Sequence, residues 1–220
     1  MADDAPRLRG AIVPVTPFQQ NCAILWDDAT KRGVVVDPGG DVDRIVAAVA
    51  QTGAAIERIL LTHGHLDHAG GTMALAAALR AQGAVLTIDG PDRRDQFLLD
   101  GIAAQAASYG FEAANAEPDN WLAEGDSIEF AGHRFDVLHC PGHTPGHVVF
   151  VDHAARFLIA GDVLFQGSVG RTDFPYGDHD ALIAAIKGKL LPLGDDYSFV
   201  CGHGPGSTIG DERRTNPFLR

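Results

Sequence analysis

Residues 62–68 read THGHLDH, and this stretch follows directly on a short apolar run. His63, His65, Asp67 and His68 therefore place three imidazoles and one carboxylate within six consecutive positions. Without an ion, such side chains would bury polar groups that lack partners and would repel one another once protonated. Neutral imidazole and carboxylate are good ligands for zinc, iron and manganese, so the stretch predicts a metal site.

The spacing within this stretch predicts two ions rather than one. His63 and His65 lie two positions apart at the end of a predicted strand, so their side chains point to the same side. Asp67 and His68 follow where the chain turns into the Ala- and Leu-rich segment 69–82, which is typical of a helix. Because each zinc ion takes three or four protein ligands, two ions require further donors from elsewhere in the chain.

Three later segments have the form of an apolar strand that ends in a turn with a histidine or an aspartate. The first places His143 in the turn CPGHTPGH, the second places Asp162 after FLIAG, and the third places His203 after FVCG. Ligands gathered at strand ends are a common way for α/β proteins to build a site. Each signal is weak alone, but the four segments in this order predict one shared site. His147, close to His143, is expected to be structural or to support a ligand.

The ligand order resembles that of the metallo-β-lactamase fold superfamily, from about Ile12 to the C-terminus. Within it, the chain is most similar to the glyoxalase II-like branch, which comprises the hydroxyacylglutathione hydrolases and their short bacterial homologues. The resemblance implies an α/β fold built as a four-layer αββα sandwich. The segments that carry the similarity, besides the ligands, are NC at 21–22, VDPGG at 36–40, GDVLF at 161–165 and GSVGRTDF at 167–174.

The resemblance also implies how the ligands are divided between two neighbouring divalent ions. Each ion would have three side chains of its own: His63, His65 and His143 for the first, and Asp67, His68 and His203 for the second. Asp162 would bridge the ions together with a water or hydroxide, so Asp67 and Asp162 are the expected catalytic carboxylates. Two zinc ions are expected, with iron or manganese as alternatives.

Charge counting favours hydrolysis of a thioester. Two divalent ions outweigh Asp67, Asp162 and one hydroxide by about one positive charge, which favours a developing oxyanion. Two metals lower the pKa of a bridging water from about 16 to roughly 7 or below. A thiol has a pKa of about 8.5, so a thiolate leaves with little acid assistance. The predicted function is a binuclear hydrolase in which the bridging hydroxide cleaves S-lactoylglutathione or a related acyl-thioester to acid and thiol.

The chain departs from full-length glyoxalase II enzymes in its substrate-binding part. Those enzymes carry a helical C-terminal domain that binds glutathione, whereas only residues 204–220 follow His203 here, so a short form is expected. Arg171 stands where that branch has a Lys-x-Tyr contact to glutathione. It could hold a substrate carboxylate, or it could form a structural ion pair with Asp173. Whether glutathione is the thiol carrier is therefore open.

An alternative function comes from RTDF at 171–174 and ERRTNP at 212–217, which resemble persulfide dioxygenases of the same superfamily. Those enzymes use one iron ion held by two histidines and one aspartate, which would be His63, His143 and Asp162. The loop GSVG before Arg171, where the dioxygenases more often have Gly-Cys-Gly, favours the hydrolase. β-Lactamase activity is not expected, because many such enzymes have cysteine where Asp162 stands.

The bulk properties bound the partners and the organisation. At 220 residues, the chain is expected to form a single domain over 1–220 with a helical insert around 91–118. That insert could cover the metal cleft, or it could be a solvent-exposed cap. The formal charge is −12 and Lys and Arg form no long run, so a small-molecule thioester is the expected partner and nucleic acid is not. No apolar stretch approaches the ~18 residues of a membrane span.

The cysteines and the N-terminus favour the cytoplasm. Cys22, Cys140 and Cys201 are an odd number at long spacing, which fits a reducing compartment better than a disulfide framework. Buried thiols are favoured over a metal or redox role for Cys140 and Cys201. The segment Met1–Arg7 has no apolar core of a signal peptide.

Periodicity and turn residues predict the elements that carry these segments. A helix capped by Asp41 is expected to run to about residue 51. A second helix is expected over about 180–190. The expected strands are 22–26, 33–36, 56–61, 84–88, 127–130, 133–138, 148–151, 156–160 and 197–201.

Overall fold

The N-terminal half of the chain builds a five-stranded sheet. In the computed structural model, which describes residues 7–220, its strands lie side by side in chain order. β1 to β3 pair antiparallel, whereas β3, β4 and β5 pair in parallel. The carboxyl ends of the parallel strands meet at one edge, and the THGHLDH stretch begins there. The strands are β1 (Leu8–Val15), β2 (Gln20–Asp27), β3 (Arg32–Val36), β4 (Ala55–Leu60) and β5 (Thr87–Asp89).

The second sheet has six strands in the order β13-β12-β9-β8-β7-β6. β9 and β12 pair in parallel and the other neighbours pair antiparallel. A short hairpin of β10 and β11 follows β9. The strands are β6 (Ser127–Phe130), β7 (His133–His139), β8 (Val148–Asp152), β9 (Phe157–Gly161), β10 (Leu164–Phe165), β11 (Ser168–Val169), β12 (Ser198–Cys201) and β13 (Ser207–Thr208).

Within residues 7–220, seven α-helices cover the outer faces of the sheets. α6 continues into a π-helical turn at Ile186–Leu190. Among residues 7–220, no helix is long and apolar enough to cross a membrane. The prediction for Met1–Arg7 lies outside the described residues except for Arg7 itself. The helices are α1 (Val42–Thr52), α2 (Leu66–Ala69), α3 (Thr72–Ala81), α4 (Gln96–Leu99) and α5 (Ile102–Ser108) on the first sheet, and α6 (His179–Ala185) and α7 (Ile209–Thr215) on the second.

Alternation along the strands divides the apolar core into three layers. Successive strand residues point to opposite faces, so Val34 packs between the two sheets while Val35 packs under the helices of the first sheet. Phe150 of the second sheet belongs to the same layer between the sheets as Val34. On the outer face of the second sheet, Leu158 packs with Leu182 of α6. Helix, sheet, sheet and helix thus form the predicted four-layer αββα sandwich, and that prediction is confirmed.

Three sequence predictions about local structure need correction. The helix expected over 69–82 spans only Thr72–Ala81 (α3), and Ala69 instead ends α2, because the backbone N–H of Gly71 donates to Pro38 O at 2.8 Å and interrupts the helical ladder. Asp41 precedes α1 but makes no side-chain cap; its carboxylate accepts instead from Thr16 N at 2.8 Å. The strand expected from residue 84 begins only at Thr87, and the strand β1 was not predicted.

Residues 91–118 contain the helical segment expected from the sequence. A 3-10 turn at Arg93–Asp95 leads into α4 and then α5, which an irregular stretch follows. Leu99, Ile102 and Ala106 are buried in the core of the first sheet. The segment is therefore packed onto the sandwich through its own apolar face, and Phe97 stays half-exposed on its other side.

Candidate metal centre

Three imidazole nitrogens converge in front of the THGHLDH loop. Nδ1 of His65 lies 3.1 Å from Nε2 of His63 and 2.9 Å from Nε2 of His143. The three rings are buried. Burial lowers the pKa of His63 and brings that of His65 to about 3, so both rings are neutral and carry lone pairs. Three neutral nitrogens at this spacing can act as ligands to one ion.

The outward nitrogen of each ring in this first group is held by a hydrogen bond. Such partners fix the tautomer and leave the inward nitrogen as the acceptor. Burial raises the pKa of Tyr176 to about 12, so its hydroxyl remains neutral beside His65. The bonds are His63 Nδ1 to Thr62 Oγ1 at 3.0 Å, His65 Nε2 to Tyr176 Oη at 2.8 Å and His143 Nδ1 to Arg171 O at 2.8 Å.

A second group forms beside the first. Nε2 of His203 lies 3.2 Å from Oδ2 of Asp67, and Nε2 of His68 lies 3.9 Å from the same oxygen. His68 Nδ1 donates to Asp37 Oδ2 at 2.9 Å, and His203 Nδ1 donates to Phe18 O at 3.1 Å. The inward nitrogens of both rings are therefore free to bind an ion together with the Asp67 carboxylate.

The Asp162 carboxylate lies between the two groups. Its Oδ1 is 3.3 Å from Nε2 of His68, and its Oδ2 is 3.5 Å from Nε2 of His143 and 3.7 Å from Nε2 of His203. The backbone N–H of Asp162 donates to Nε2 of His147 at 3.0 Å, so that histidine supports a ligand residue. The structure thus brings all seven predicted side chains together, with Asp162 facing members of both groups.

Two buried atoms of these seven side chains lack hydrogen-bond partners, and they indicate whether the donor set suits metal ions. Within residues 7–220, Nε2 of His68 and Oδ1 of Asp162 are buried and face each other at 3.3 Å, but neither atom makes a hydrogen bond. An unsatisfied buried polar group costs about 1–3 kcal/mol. Although burial opposes its charged form, the carboxylates of Asp162 and Asp37 raise the pKa of His68 above its usual range. A divalent ion can replace that proton and satisfy both atoms, so the donor set fits.

Asp37 and Thr62 fix the loop from behind. The Asp37 carboxylate accepts from the backbone N–H of Thr62 at 2.8 Å and from its hydroxyl at 2.6 Å, in addition to His68. Asp37 belongs to the VDPGG segment of the family resemblance, and no role was predicted for it. The available signal was an acidic residue directly after the apolar strand β3. No comparable signal marked Tyr176, which lies in an irregular loop.

A cavity of about 810 Å³ opens in front of the cluster. Tyr109, at the end of α5, lies in one wall and meets Phe18 edge to face at 5.7 Å. Phe174 and Tyr176 stack at 5.4 Å in another wall, and Phe97 packs against Tyr176. The segment 91–118 thus contributes Gln105 and Tyr109 to the cavity lining.

Arg171 has the contacts expected for both predicted roles, an ion pair with Asp173 and a place in the substrate cavity. Its guanidinium forms a bidentate ion pair with Asp173, with both N–O distances at 2.9 Å. It also lines the cavity and lies over the Phe174 ring at 5.0 Å. The pair is exposed, and an exposed pair is easily exchanged for another anion. A substrate carboxylate would have to compete with Asp173 for the guanidinium.

The three thiols should be unreactive in the folded protein. Cys22, Cys140 and Cys201 are buried and unpaired, and burial raises the pKa of Cys140 to about 12 and that of Cys201 to about 11. Because only the thiolate reacts, a disulfide reagent at pH 8 should label less than about one thiol per native chain and all of them after unfolding. Fast labelling of Cys201 with simultaneous metal release would instead assign that thiol to the site.

Known proteins are similar to this chain in sequence and fold over almost its whole length. Residues 15–203 match the sequence profile of the Metallo-beta-lactamase superfamily. The hydroxyacylglutathione hydrolase GloC of Haemophilus influenzae is 45% identical over 210 residues, which cover 94% of this chain and 96% of that protein. The crystal structure of TTHA1623 in a di-iron-bound form is 38% identical, with a TM-score of 0.83, over 95% of this chain and 100% of that one. That of the B3 metallo-beta-lactamase BLEG-1 is 34% identical, with a TM-score of 0.86, over 96% and 99%. The chain therefore belongs to the metallo-β-lactamase superfamily.

Proposed function

We propose that the protein is a binuclear metal-dependent hydrolase of thioesters, which cleaves S-lactoylglutathione or a related acyl-thioester to free acid and thiol. The observation that carries this proposal is the position of Asp162, whose two oxygens face His68 on one side and His143 on the other. A carboxylate in this place can serve two ions at once. The GloC relative, named a hydroxyacylglutathione hydrolase, supports the same substrate class at near full-length coverage.

In this proposal, the first ion is held by the three converging histidines and the second by Asp67, His68 and His203, with Asp162 shared. When bound, two divalent ions would supply a water of lowered pKa and would polarise the substrate carbonyl. The chain orients that chemistry through the outer hydrogen bonds of the five rings, because fixed tautomers keep every lone pair directed inward. Zinc is the expected metal, and iron is an alternative that the di-iron form of TTHA1623 supports.

The cavity supports a small-molecule thioester as substrate. Its volume of about 810 Å³ lies within the range of about 300–1,000 Å³ that is common for such sites. His65, His143 and Asp162 lie in the same cavity lining as the aromatic side chains, so a bound carbonyl can reach the ligand cluster. A thiolate leaving group needs no general acid, which agrees with a lining that offers Asp67 and Asp162 only as ligands.

The alternative function, a mononuclear iron persulfide dioxygenase, would use His63, His143 and Asp162 alone. That activity gives no role to the second group, in which the nitrogens of His68 and His203 are oriented toward Asp67 by separate hydrogen bonds. The GSVG loop before Arg171 and the 45% identity to GloC favour the binuclear hydrolase.

An activity comparison on zinc and iron preparations of known metal content separates these functions. The protein reconstituted with zinc should hydrolyse S-lactoylglutathione and consume no oxygen with glutathione persulfide. It should leave nitrocefin intact, although BLEG-1 is called a B3 metallo-beta-lactamase. Oxygen consumption by an iron form with one ion per chain, together with inactivity toward thioesters, would establish the dioxygenase instead. Rapid nitrocefin turnover would establish a β-lactamase.

A further inference from the structure

A buried carboxylate outside the ligand set joins the two loops that supply the first group of histidines. Asp95 ends the 3-10 turn Arg93–Asp95, immediately before α4, and none of its surface is exposed. Neither the ligand assignment nor the cavity wall uses this residue. It nevertheless lies where the segment 91–118 meets the metal centre.

The Asp95 side chain accepts three hydrogen bonds from these loops. Its Oδ2 accepts from the backbone N–H of Gly64 at 2.9 Å and from the hydroxyl of Thr144 at 2.6 Å. Its Oδ1 accepts from the backbone N–H of Gly146 at 2.5 Å. Gly64 stands between His63 and His65, and Thr144 follows His143 directly.

The backbone around Asp95 reinforces these side-chain bonds. The N–H of Asp92 donates to Gly146 O at 3.0 Å, so the turn also binds the His143 loop through its main chain. A Cβ at Gly146 would lie 2.6 Å from Asp95 N, and a Cβ at Gly64 would lie 2.7 Å from Leu98 Cβ. Glycine at both positions therefore permits a distance that any side chain would prevent.

The loops need such a connection because they come from different sheets. The His65 loop follows β4 of the first sheet, and the His143 loop follows β7 of the second. One backbone bond, from Val148 N to Thr62 O at 2.8 Å, links the loops behind the site. Yet His65 Nδ1 and His143 Nε2, which lie 2.9 Å apart, must stay close together to share one ion.

We propose that Asp95 is a positioning residue that sets the distance between the His65 loop and the His143 loop, and so sets the affinity of the first metal ion. The proposal rests on the binuclear site proposed above. It also gives the segment 91–118 a second role, since its first turn supports the ligands while α5 and Tyr109 line the cavity. Asp95 touches neither ion nor substrate and acts only through the two loops.

The test is the exchange Asp95→Asn. It keeps the side-chain volume but replaces one acceptor oxygen by an NH₂ group, which would face the N–H and O–H donors of the two loops. Zinc affinity is measured by titrating metal-free protein against a competing chelator, and the step that disappears in His143→Ala identifies the first ion. Loss of a partner behind metal ligands typically costs about 10–100-fold in affinity. That loss of affinity is expected for the first ion only, and the affinity for the second ion should change by less than about threefold.

Asp92→Asn is the matched control, because it makes the same change in the same turn. The Asp92 carboxylate accepts only from the N–H and guanidinium of Arg94, so both zinc steps should keep their wild-type affinities. Melting temperatures of the metal-free variants report general destabilisation. If Asp95→Asn does not fold, Thr144→Val removes one of the three donors and should weaken the same step to a smaller extent.

The proposal is overturned if Asp95→Asn weakens both steps equally, weakens neither, or behaves like Asp92→Asn. This experiment measures metal affinity and not catalysis. A wild-type protein that binds two ions but cleaves no thioester would therefore contradict the proposed function and leave the role of Asp95 standing.

Discussion

Replacing Asp162 by alanine should remove both metal ions and lower the turnover of S-lactoylglutathione by at least about 100-fold. Loss of a hydrogen-bond partner behind a metal ligand already lowers metal affinity or activity by about 10–100-fold. Asp162 is proposed to bind both ions directly, so its loss should cost more. In the variant, Nε2 of His68 and Nε2 of His143 would lose the anion that lies 3.3 and 3.5 Å from them. Metal content by elemental analysis and thioester hydrolysis on the same sample give the result.

Asp173→Ala serves as the control for this experiment. Asp173 is also an aspartate near the cavity, but it is exposed and pairs with Arg171 rather than with a histidine of the cluster. This variant should keep two ions per chain. An Asp162→Ala protein that also keeps two ions and near-normal activity would contradict the shared-ligand arrangement, because no single residue would then serve both sites.

Gly202→Ala should disable the centre without changing any ligand. A Cβ at this position would overlap Oδ1 of Asp162 and lie 2.6 Å from Cε1 of His68. The backbone cannot easily retreat, because Gly202 N donates to Gly161 O at 2.8 Å and Gly202 O accepts from Asn21 N at 2.7 Å. Misplacing a reacting group by about 1 Å can cost about 100-fold in rate, so a loss of this order in turnover is expected, with weaker metal binding.

Gly188→Ala is the matched glycine exchange. Gly188 lies in the π-helical turn after α6, and a Cβ there would meet no atom within 4 Å. Activity and metal content should stay at wild-type values, and helix propensity predicts a stability equal to or slightly above the wild type. If Gly202→Ala were as active as Gly188→Ala, the Asp162 carboxylate would not need the position that the structure gives it.

The ligand-bearing segments were predictable because each follows an apolar strand. His63 follows β4, Asp162 follows β9 and His203 follows β12, and strand periodicity is a local property that sequence displays directly. The structure brings the seven side chains together because the ends of these strands meet at one edge of the sandwich. Their division between two ions came from the resemblance, not from spacing alone.

The residues behind the ligands were not predictable in the same way. Asp95 is 31 residues from Gly64 and 51 residues from Gly146, so its contacts exist only once both sheets have packed. Tyr176 reaches His65 across 111 residues from a loop without periodicity. For the same reason, the helix expected over 69–82 was wrong at Gly71, where a tertiary hydrogen bond to Pro38 outweighs the local helical propensity.

Substrate preference depends on the part of the site that sequence describes least. The aromatic walls of the cavity come from separate loops, and its guanidinium, Arg171, is already paired with Asp173. A thioester whose carrier has several carboxylates would find only this shared cation among the lining side chains of the described cavity. The ligand cluster therefore determines the reaction more closely than it determines the thiol carrier.

A zinc titration of the metal-free protein tests the central claim most directly. S-lactoylglutathione hydrolysis is followed while zinc is added in fractions of one equivalent per chain. The binuclear arrangement predicts that activity rises until two ions are bound per chain and then stays constant. Full thioesterase activity at one ion per chain, with no further change at two, would contradict the account.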